Sequence, residues 1–466
     1  MTTSSTQDVS AADPSLPTTA VVGAGPSGLV LARAFLTAGL PIEVFERHHS
    51  IGGIWAADNT GTPMYESAHF ISSKTLSGFP GFPMPDHYPD YPSHRQILAY
   101  LHDFARTYGL ERVIRTGTEV RQAKWIDDRW QLTFASGERR TFDHLVCANG
   151  TTWDPSRPDI PGEFDGELLH SVDYWSADLF RGKRVLVIGA GNSGVDIACD
   201  AATVAGRATI SMRRGYHVIP KHILGQPADV FAESGPDLPV RLGQAVFSRL
   251  LRVLVGKPSR YGLPEPDHRL FETHPILNTR IYHHLSHGDL DVARDVERFD
   301  GSTVHFVDGT SADYDVVVCA TGYKNSIPYL DRSHFEWKLD RPQLYLHVFH
   351  RTNPQLHALG FTEGDGAGYT VFDNTAVAIT GLVQMLHDQP ERRADWLAHV
   401  NNDRPELRGG VDFIETARHV NYLHVKDYLK LLAKLSKRFG WAPADPARYR
   451  EVRSDLVSTA GGTIAE

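Results

Sequence analysis

The sequence predicts an α/β protein built around two parallel sheets, and two observations support this prediction. A short apolar run, a glycine-rich turn and a helical pattern follow one another twice, at residues 18–39 and again at residues 183–202. Each half also closes with an apolar run that leads into a glycine turn, at residues 144–150 and 316–323. Strands that alternate with helices in this way are typical of parallel sheets with helices on both faces.

Length and charge narrow the class of protein further. The chain has 466 residues, of which 41% are hydrophobic and 22% charged, and single cores stop growing at about 250–300 residues. We therefore expect two domains. Acidic residues outnumber basic ones, 56 against 47, for a net charge of −9. This balance disfavours nucleic acid or an anionic membrane surface as partner and favours a small-molecule substrate.

The cysteines and the two chain ends indicate the compartment. Cys147, Cys199 and Cys319 form no C-x-x-C pair, and their odd number argues against a disulfide framework. We therefore expect a cytoplasmic protein. Residues 1–17 lack the basic start and apolar run of a signal peptide and are interpreted as a disordered tail, and residues 441–466 as a C-terminal tail. No apolar stretch approaches the roughly 20 residues that a membrane span needs.

The first unit has the G-x-G-x-x-G spacing of a dinucleotide-binding turn between a strand at residues 18–22 and a helix. Gly23 allows the tight turn, Gly25 lets the backbone approach a pyrophosphate, and Gly28 lets the helix pack closely on the strand. Pro26 suits the first helical turn, where its missing N–H costs nothing. Glu46 follows the second strand and is placed to accept hydrogen bonds from an unphosphorylated ribose.

The second unit repeats the turn with Gly189, Gly191 and Gly194 but differs after its second strand. There the acid is replaced by Arg213 and Arg214, and arginines suit a ribose 2′-phosphate. This favours NADP over NAD, with a solvated basic pair as the alternative. One site for an unphosphorylated ribose and one for a phosphorylated ribose suggest electron transfer between two dinucleotides, for which FAD and NADPH are the natural pair.

The proline-rich stretch at residues 155–161 marks the expected crossing between two Rossmann-like dinucleotide-binding domains. We expect the NADP-binding domain to be inserted in the FAD-binding domain, and a helical insertion to carry an apolar helical run at 242–255. A basic amphipathic helix at 422–439 is expected to pack on the body or in a subunit contact, which a homodimer would supply. The predicted limits are 18–160 and 321–440 for the FAD-binding domain, 161–320 for the NADP-binding domain, and 222–270 for the insertion.

Residues 164–174 match F-x-G-x-x-x-H-x-x-x-Y, the signature of flavin-containing monooxygenases. Further matches lie at residues 52–55, 91–94 and 320–323, and the chain resembles this family over roughly residues 18–390. The related Baeyer–Villiger monooxygenases carry tryptophan at the last signature position. This chain has Tyr174 there, followed by Trp175, which favours the first family without excluding oxygenation of a ketone.

The resemblance implies a reaction. NADPH reduces the flavin, dioxygen adds at the flavin C4a, and the bound NADP shelters the (hydro)peroxide from water until a nitrogen or sulfur of a small organic substrate reacts, as in N,N-dimethylaniline monooxygenase. Baeyer–Villiger oxygenation and a non-catalytic nucleotide-binding sensor are the alternatives. Flavin disulfide reductases share the layout but need a close cysteine pair, which this sequence lacks.

The candidate site residues come from the two turns and from the resemblance. In many family members an asparagine stands where this chain has Ile71, so Ser72, Ser73 or a backbone group is expected to take its place. His170 is a further candidate for a catalytic role, although a structural or hinge role is favoured for it. No metal is expected, because His48-His49 and His283-His284 have no partners at metal-ligand spacing. The residues predicted to bind the dinucleotides are Gly23, Ala24, Gly25, Pro26, Ser27, Gly28, Glu46, Arg47, Gly53, Ile54, Trp55, Val120 and Thr321, together with Gly189, Gly191, Asn192, Ser193, Gly194, Arg213 and Arg214.

Overall fold

The structure, a computed structural model, describes residues 15–236, 238–416 and 418–449. Most of the predicted N-terminal tail, residues 1–14, and the predicted C-terminal tail from residue 450 lie outside the described residues. The helices are α1 Pro26–Thr37, α2 Lys74–Ser77, α3 His94–Thr107, α4 Asn192–Val204, α5 Ala228–Ser234, α6 Val240–Leu254, α7 Arg280–His287, α8 Gly368–Asp388, α9 Arg393–Asn402 and α10 Val425–Phe439.

The strands fall into two parallel sheets and several short antiparallel ones. In chain order they are β1 Thr19–Val22, β2 Ile42–Phe45, β3 Ile114–Arg115, β4 Val120–Ile126, β5 Arg129–Phe134, β6 Arg139–Phe142, β7 His144–Cys147, β8 Asp154–Pro155, β9 Glu167–His170, β10 Arg184–Ile188, β11 Arg207–Ser211, β12 His222–Ile223, β13 Gln226–Pro227, β14 Asp291–Ala293, β15 Val296–Asp300, β16 Thr303–Phe306, β17 Ser311–Asp313, β18 Val316–Cys319, β19 Tyr323–Lys324, β20 Trp337–Lys338, β21 Arg341–Pro342, β22 Leu356–Ala358, β23 Glu363–Gly364 and β24 Tyr422–Leu423.

The first parallel sheet has the order β22-β7-β1-β2-β3. Every residue of β1 and β7 is buried, because a parallel sheet of this kind is covered on both faces and its strands are continuously apolar. The helix α1 returns the chain from β1 to β2 and packs against α8. The buried Arg33 of α1 forms an ion pair with Asp373 of α8, which ties the two helices together.

The second parallel sheet repeats this plan in the order β14-β11-β10-β18-β9. Its central strands β10 and β18 are buried and apolar, apart from the half-buried Arg184 at the start of β10. Each parallel sheet is accompanied by a three-stranded antiparallel sheet, β4-β5-β6 in the first half and β15-β16-β17 in the second. Cys147 and Cys319 occupy matching last positions of β7 and β18, and burial raises the pKa of their thiols to about 12 and about 11.

The chain leaves the first sheet, builds the whole of the second, and then returns. The outgoing strand β8 and the returning strand β19 pair antiparallel with each other, so the two crossings between the units run side by side. After the return, β22 pairs with β7 and completes the first sheet. This order supports the predicted insertion of one unit in the other, although the exact domain limits stay predictions.

The segment 222–270 contains α5 and α6, but it also contains a small antiparallel hairpin of β12 and β13. The sequence shows no period-2 pattern there because each strand has only two residues. The helix α6 starts two residues before the start of the predicted run and ends one residue before its end. It packs through Leu251 onto a small apolar cluster with Ile219, Ile223 and Leu270.

The C-terminal part differs from the prediction in one boundary. The helix predicted at 422–439 begins only at Val425, because Tyr422 and Leu423 pair as a strand with Glu363 and Gly364. The described start of the predicted C-terminal tail, residues 441–449, is mostly exposed, but Trp441 and Tyr449 at its two ends are buried and attach it to the core. Among the described residues, none of the helices combines the length and the apolar character that a membrane crossing requires.

Candidate functional site

The first glycine loop has a geometry that only glycine allows. Gly23 has φ +114°, and a Cβ there would lie 2.4 Å from the carbonyl oxygen of Ala148. A Cβ at Gly28 would lie 2.0 Å from the carbonyl oxygen of Gly23. The loop ends at α1, whose N-terminus has Gly25 as cap and no capping side chain. Its first N–H groups are therefore available to an anion such as a pyrophosphate.

The second loop has the same geometry. Gly189 has φ +105°, and its Cβ would lie 2.6 Å from the carbonyl oxygen of Ala320. A Cβ at Gly194 would lie 2.1 Å from the carbonyl oxygen of Gly189, whereas Gly191 has no neighbour within 4 Å of such an atom. The helix α4 that follows also lacks a capping side chain. Both loops thus fit the pyrophosphate of a dinucleotide.

Glu46 follows β2 and is held by the backbone of the first loop. Its Oε2 accepts a hydrogen bond from Ala24 N at 2.9 Å, and its Oε1 accepts one from His48 N at 3.0 Å. The residue is only 6% exposed. Because each carboxylate oxygen can accept a second hydrogen bond, Glu46 remains able to bind a ribose hydroxyl pair. Arg47 is exposed and lies over the ring of Trp153, 4.5 Å from its centroid.

The sheet registers identify the counterparts of these residues in the second unit. Val22 pairs with Phe45 in the first sheet, and Ile188 pairs with Ser211 in the second. The counterpart of Glu46 is therefore the buried Met212, and that of Arg47 is Arg213, so the predicted direct replacement of the acid by an arginine was wrong by one residue.

The side chain at this position of the second unit thus cannot bind a ribose hydroxyl pair, and arginines follow it. Arg213 is exposed. The Arg214 guanidinium lies 4.0 Å from the Asp267 carboxylate. The pair agrees with a phosphorylated ribose.

A turn of 3₁₀-helix at Gly53–Trp55 rests on the first loop, where Gly52 N donates to Ala24 O at 2.9 Å. Trp55 begins a row of rings that we call the aromatic wall, formed by Trp55, Phe70 and Tyr369. The ring of Phe70 lies 5.2 Å from that of Trp55 and 5.6 Å from that of Tyr369. Ile54 is half-buried in the turn.

Two further predicted residues, Val120 and Thr321, have clear places in the fold. Val120 is buried at the start of β4, in one apolar cluster with Phe45. Thr321 donates its hydroxyl to Ser156 O at 2.5 Å, beside the second loop. The structure thus brings the first glycine loop, Glu46 and the Gly53–Trp55 turn together at the start of α1, whereas Val120 packs with Phe45 and Thr321 lies at the second loop.

The candidate catalytic residues near Ile71 have distinct surroundings. Ile71 is 38% exposed, whereas Ser73 is fully buried. Ser73 N donates to Asp229 Oδ2 at 2.6 Å, which ties this segment to α5 of the insertion. Among the described residues the Ser73 hydroxyl has no hydrogen-bond partner, so it is an unsatisfied polar atom that a bound group would serve. Ser72 is half-buried.

His170 has a structural environment. Its Nε2 lies 3.0 Å from Gly322 O, and its Nδ1 accepts from Val172 N at 3.2 Å. Burial lowers its pKa. Both ring nitrogens are occupied by backbone groups, which favours a positioning role beside the Thr321–Gly322 turn over proton transfer.

A polar contact that the sequence analysis missed joins the two units. The Tyr65 hydroxyl donates to Asp196 Oδ2 at 2.7 Å, and the Ser67 hydroxyl donates to Asp200 Oδ2 at 2.5 Å. Asp196 and Asp200 lie one turn apart on α4, next to the second loop, and burial raises the pKa of Asp196. Two acids on one face of an otherwise apolar helix were a signal in the sequence. At the start of the same helix, Asn192 Oδ1 accepts from Leu277 N at 2.9 Å.

The fold and these two loops define the class of protein: an oxidoreductase that binds two dinucleotides in one chain. A family model described as flavin-binding monooxygenase-like matches residues 17–444, so the chain belongs to the flavin-binding monooxygenase-like family. It is an FAD- and NADPH-dependent monooxygenase.

Individual relatives and solved structures agree with this family. The chain is 32% identical over 365 residues to a probable indole-3-pyruvate monooxygenase, YUCCA9, of Arabidopsis thaliana, covering 75% of this chain and 86% of that one. It is 30% identical over 456 residues to flavin-containing monooxygenase 5 of Mus musculus, covering 91% and 83%. An open crystal structure of cyclohexanone monooxygenase is similar with a TM-score of 0.66 and 18% identity, over 92% of this chain and 100% of that one.

Proposed function

We propose that this enzyme oxygenates nitrogen or sulfur in small organic molecules. The observation that carries the proposal is the pair of glycine loops, one beside Glu46 and one beside Arg213, joined through the contact of Tyr65 with Asp196. Bound FAD would supply the redox chemistry, with electrons from NADPH, so that one atom of dioxygen would enter the substrate and the other would leave as water. The tyrosine at the last signature position, Tyr174, supports heteroatom oxygenation over the Baeyer–Villiger reaction.

The chain's own residues supply binding, orientation and exclusion of water. We propose that residues 23–28 with Glu46, Arg47, Gly53, Ile54, Trp55 and Val120 hold FAD, and that residues 189–194 with Arg213, Arg214 and Thr321 hold NADP. We propose that the aromatic wall and the insertion, which contacts Ser73 through Asp229, shield the bound cofactors from water. A closed site matters because water intercepts reactive oxygen intermediates.

The test is oxygen labelling with purified holoenzyme. We expect NADPH oxidation that depends on a sulfide such as thioanisole, and a sulfoxide that carries ¹⁸O when the reaction runs under ¹⁸O₂. Protein freed of FAD serves as the control and should give no product. Conversion of NADPH to hydrogen peroxide alone, with no labelled sulfoxide or N-oxide from any substrate, would contradict the proposal.

Baeyer–Villiger oxygenation is the second candidate. It is supported by the similarity in fold to cyclohexanone monooxygenase and by Ile71, which stands where many family members have an asparagine. Cyclohexanone offered in the same assay distinguishes the two. Lactone formation from the ketone, with the sulfide left unchanged, would favour the second candidate over the first.

A further inference from the structure

A cluster of charged side chains lies outside the residues proposed to hold the cofactors. At its centre one carboxylate, that of Glu363, bridges two guanidinium groups. Its Oε1 accepts from Arg341 Nη2 at 3.2 Å, and its Oε2 accepts from Arg418 Nε at 2.7 Å. Arginine is always protonated in proteins, so these three side chains carry a surplus of one positive charge.

Glu363 is fixed in an ionised state. Burial opposes its ionisation, but the neighbouring Arg418 and Arg341 prevail and lower its pKa to about 2. Arg341 also donates to Asn325 Oδ1 at 3.2 Å and is 5% exposed. Arg341 and Glu363 therefore form an ion pair, and Glu363 also holds Arg418 through a hydrogen bond.

The stretch that carries Glu363 is anchored to the FAD site at both ends. At its start, a Cβ on Gly360 would lie 2.5 Å from Ser27 Oγ at the beginning of α1. At its end, Tyr369 belongs to the aromatic wall. Glu363 and the arginines that it binds thus lie along the edge of the proposed flavin site.

The other side of the cluster reaches the second loop. His419, next to Arg418, accepts a hydrogen bond at Nε2 from His274 N at 3.2 Å. Three residues further along, Leu277 N donates to Asn192 at the start of α4. Arg418 therefore lies on a segment that is linked to the first loop through Glu363 and to the second loop through His419 and His274.

The guanidinium of Arg418 is only partly used. Its Nε is occupied by Glu363, and in the described part of the chain no residue accepts a hydrogen bond from its Nη1 or Nη2. The side chain is 43% exposed. Burial, followed by the charge of Arg418, lowers the pKa of His274 to about 3 and that of His419 to about 4, so these neighbours stay neutral and do not compete for an anion.

We propose that Arg418 binds a carboxylate of the substrate, so that the enzyme prefers small organic acids that carry the sulfur or nitrogen to be oxygenated. This rests on the proposed function, because it names the substrate class of the same site. The two free Nη groups match a carboxylate in a bidentate arrangement. Arg341 and Glu363 are positioning residues, because their contacts fix the Arg418 guanidinium through its Nε and leave both Nη groups for the carboxylate.

The test uses two sulfides that differ only in charge, 4-(methylthio)benzoate and 4-(methylthio)benzamide. With the wild-type holoenzyme we expect a KM for the acid that is lower than that for the amide by about tenfold or more, as a hydrogen-bonded ion pair gives. In Arg418→Gln the KM for the acid should rise to about the level of the amide, while the KM for the amide, whose carbonyl accepts at most a neutral hydrogen bond, should change far less. Arg418→Lys keeps the charge without the fork and should fall between.

The matched control is Arg181→Gln, which removes an exposed arginine that pairs with Asp178 on the surface and should alter neither KM. Flavin content and melting temperature are measured for every variant. If Arg418→Gln loses its flavin, Arg418→Lys and the wild-type substrate pair still decide. Equal KM values for acid and amide in the wild type, or an equal rise for both in the variant, would overturn the proposal.

A binding measurement tests the carboxylate site independently of the oxygenation reaction. The acid and the amide are titrated into oxidised holoenzyme with NADP present, and the change in flavin absorbance is followed. Tighter binding of the acid that is lost in Arg418→Gln supports the carboxylate site even if neither sulfide is converted, an outcome that would count against the proposed function alone. Equal binding of both compounds counts against the carboxylate site.

Discussion

The glycines of the two loops meet two different physical demands. Gly28 is required by the protein itself, because a Cβ there would lie 2.0 Å from the carbonyl oxygen of Gly23. Gly191 has an ordinary φ of −71° and open space around the position of a Cβ. Glycine is also favoured as a helix N-cap, but the open space here leaves room for a ligand to approach the backbone, which supports a pyrophosphate at the second loop.

Alanine substitutions separate these two demands. Gly28→Ala should destabilise the protein by about 1–3 kcal/mol through overpacking and should lower its flavin content. Gly191→Ala should keep its flavin and stay within about 0.5 kcal/mol of the wild type, but raise the KM for NADPH several-fold. The ratio of flavin to protein absorbance, urea unfolding and NADPH kinetics measure these effects.

Gly243→Ala in α6 is the control, since its Cβ would lie 3.8 Å from the nearest atom and alanine favours a helix. It should leave the flavin content and the KM for NADPH at the wild-type values and raise the stability by at most about 1 kcal/mol. A loss of flavin in Gly191→Ala as large as that in Gly28→Ala would contradict the assignment of the second loop to NADP.

At the scale of elements, the parts of the two units that depend on local turn residues could be predicted from the sequence. The parts that depend on pairing between residues far apart in the chain could not. The strand β10 lies where the sequence predicted it, and α1 ends within two residues of its predicted stop, because glycine and proline set these boundaries locally. The predicted start of α10 was wrong, because β24, which precedes the helix, pairs with β23 at a distant place in the sequence. The bridge of Arg341, Glu363 and Arg418 was missed for the same reason.

The helix α5 offers a test at this scale. Asp229 accepts a hydrogen bond from Ser73 N and so fastens the insertion to the flavin side of the molecule. In Asp229→Ala we expect a larger share of oxidised NADPH to end as hydrogen peroxide, because a looser cover admits water. Peroxide and oxygenated product are quantified in parallel during turnover with a sulfide.

Glu233→Ala changes an exposed acid on the same helix and should behave like wild type. If Asp229→Ala also releases no more peroxide than wild type, the insertion does not act as a cover for the site.

Across the whole molecule, buried histidines are a common feature of the core. Burial lowers the pKa of His144, His347 and His419 to about 4. The rings of His144 and His357 stack between β7 and β22 with their centroids 6.0 Å apart. These side chains must stay neutral in the folded protein, whereas they become protonated near pH 6.5 in an unfolded chain.

The buried histidines make the free energy of unfolding fall as the pH falls. Between about pH 6.5 and pH 4 the unfolded state binds more protons, so these histidines contribute stability above this window and the contribution is lost as the pH falls through it. Each adds a slope of about 1.4 kcal/mol per pH unit at most. Urea unfolding at intervals from pH 7.5 to 4.5 measures the total slope.

His144→Asn should reduce that slope by about one proton, whatever it does to the stability at pH 7.5. His283→Asn, at an exposed position of α7, is the control and should leave the slope as it is. A slope that His144→Asn does not alter would show that His144 is not a source of the acid sensitivity.

The position of β22 has a consequence for biosynthesis. The sheet around β1 lacks its outer strand until residue 358 has been made, and by then the whole second unit has left the ribosome. At about 5–20 residues per second, the interval between β7 and β22 lasts roughly 10–40 s. During that time β7 presents an unpaired edge, which is prone to wrong association, so the nascent N-terminal half is the part of this chain that most needs a chaperone.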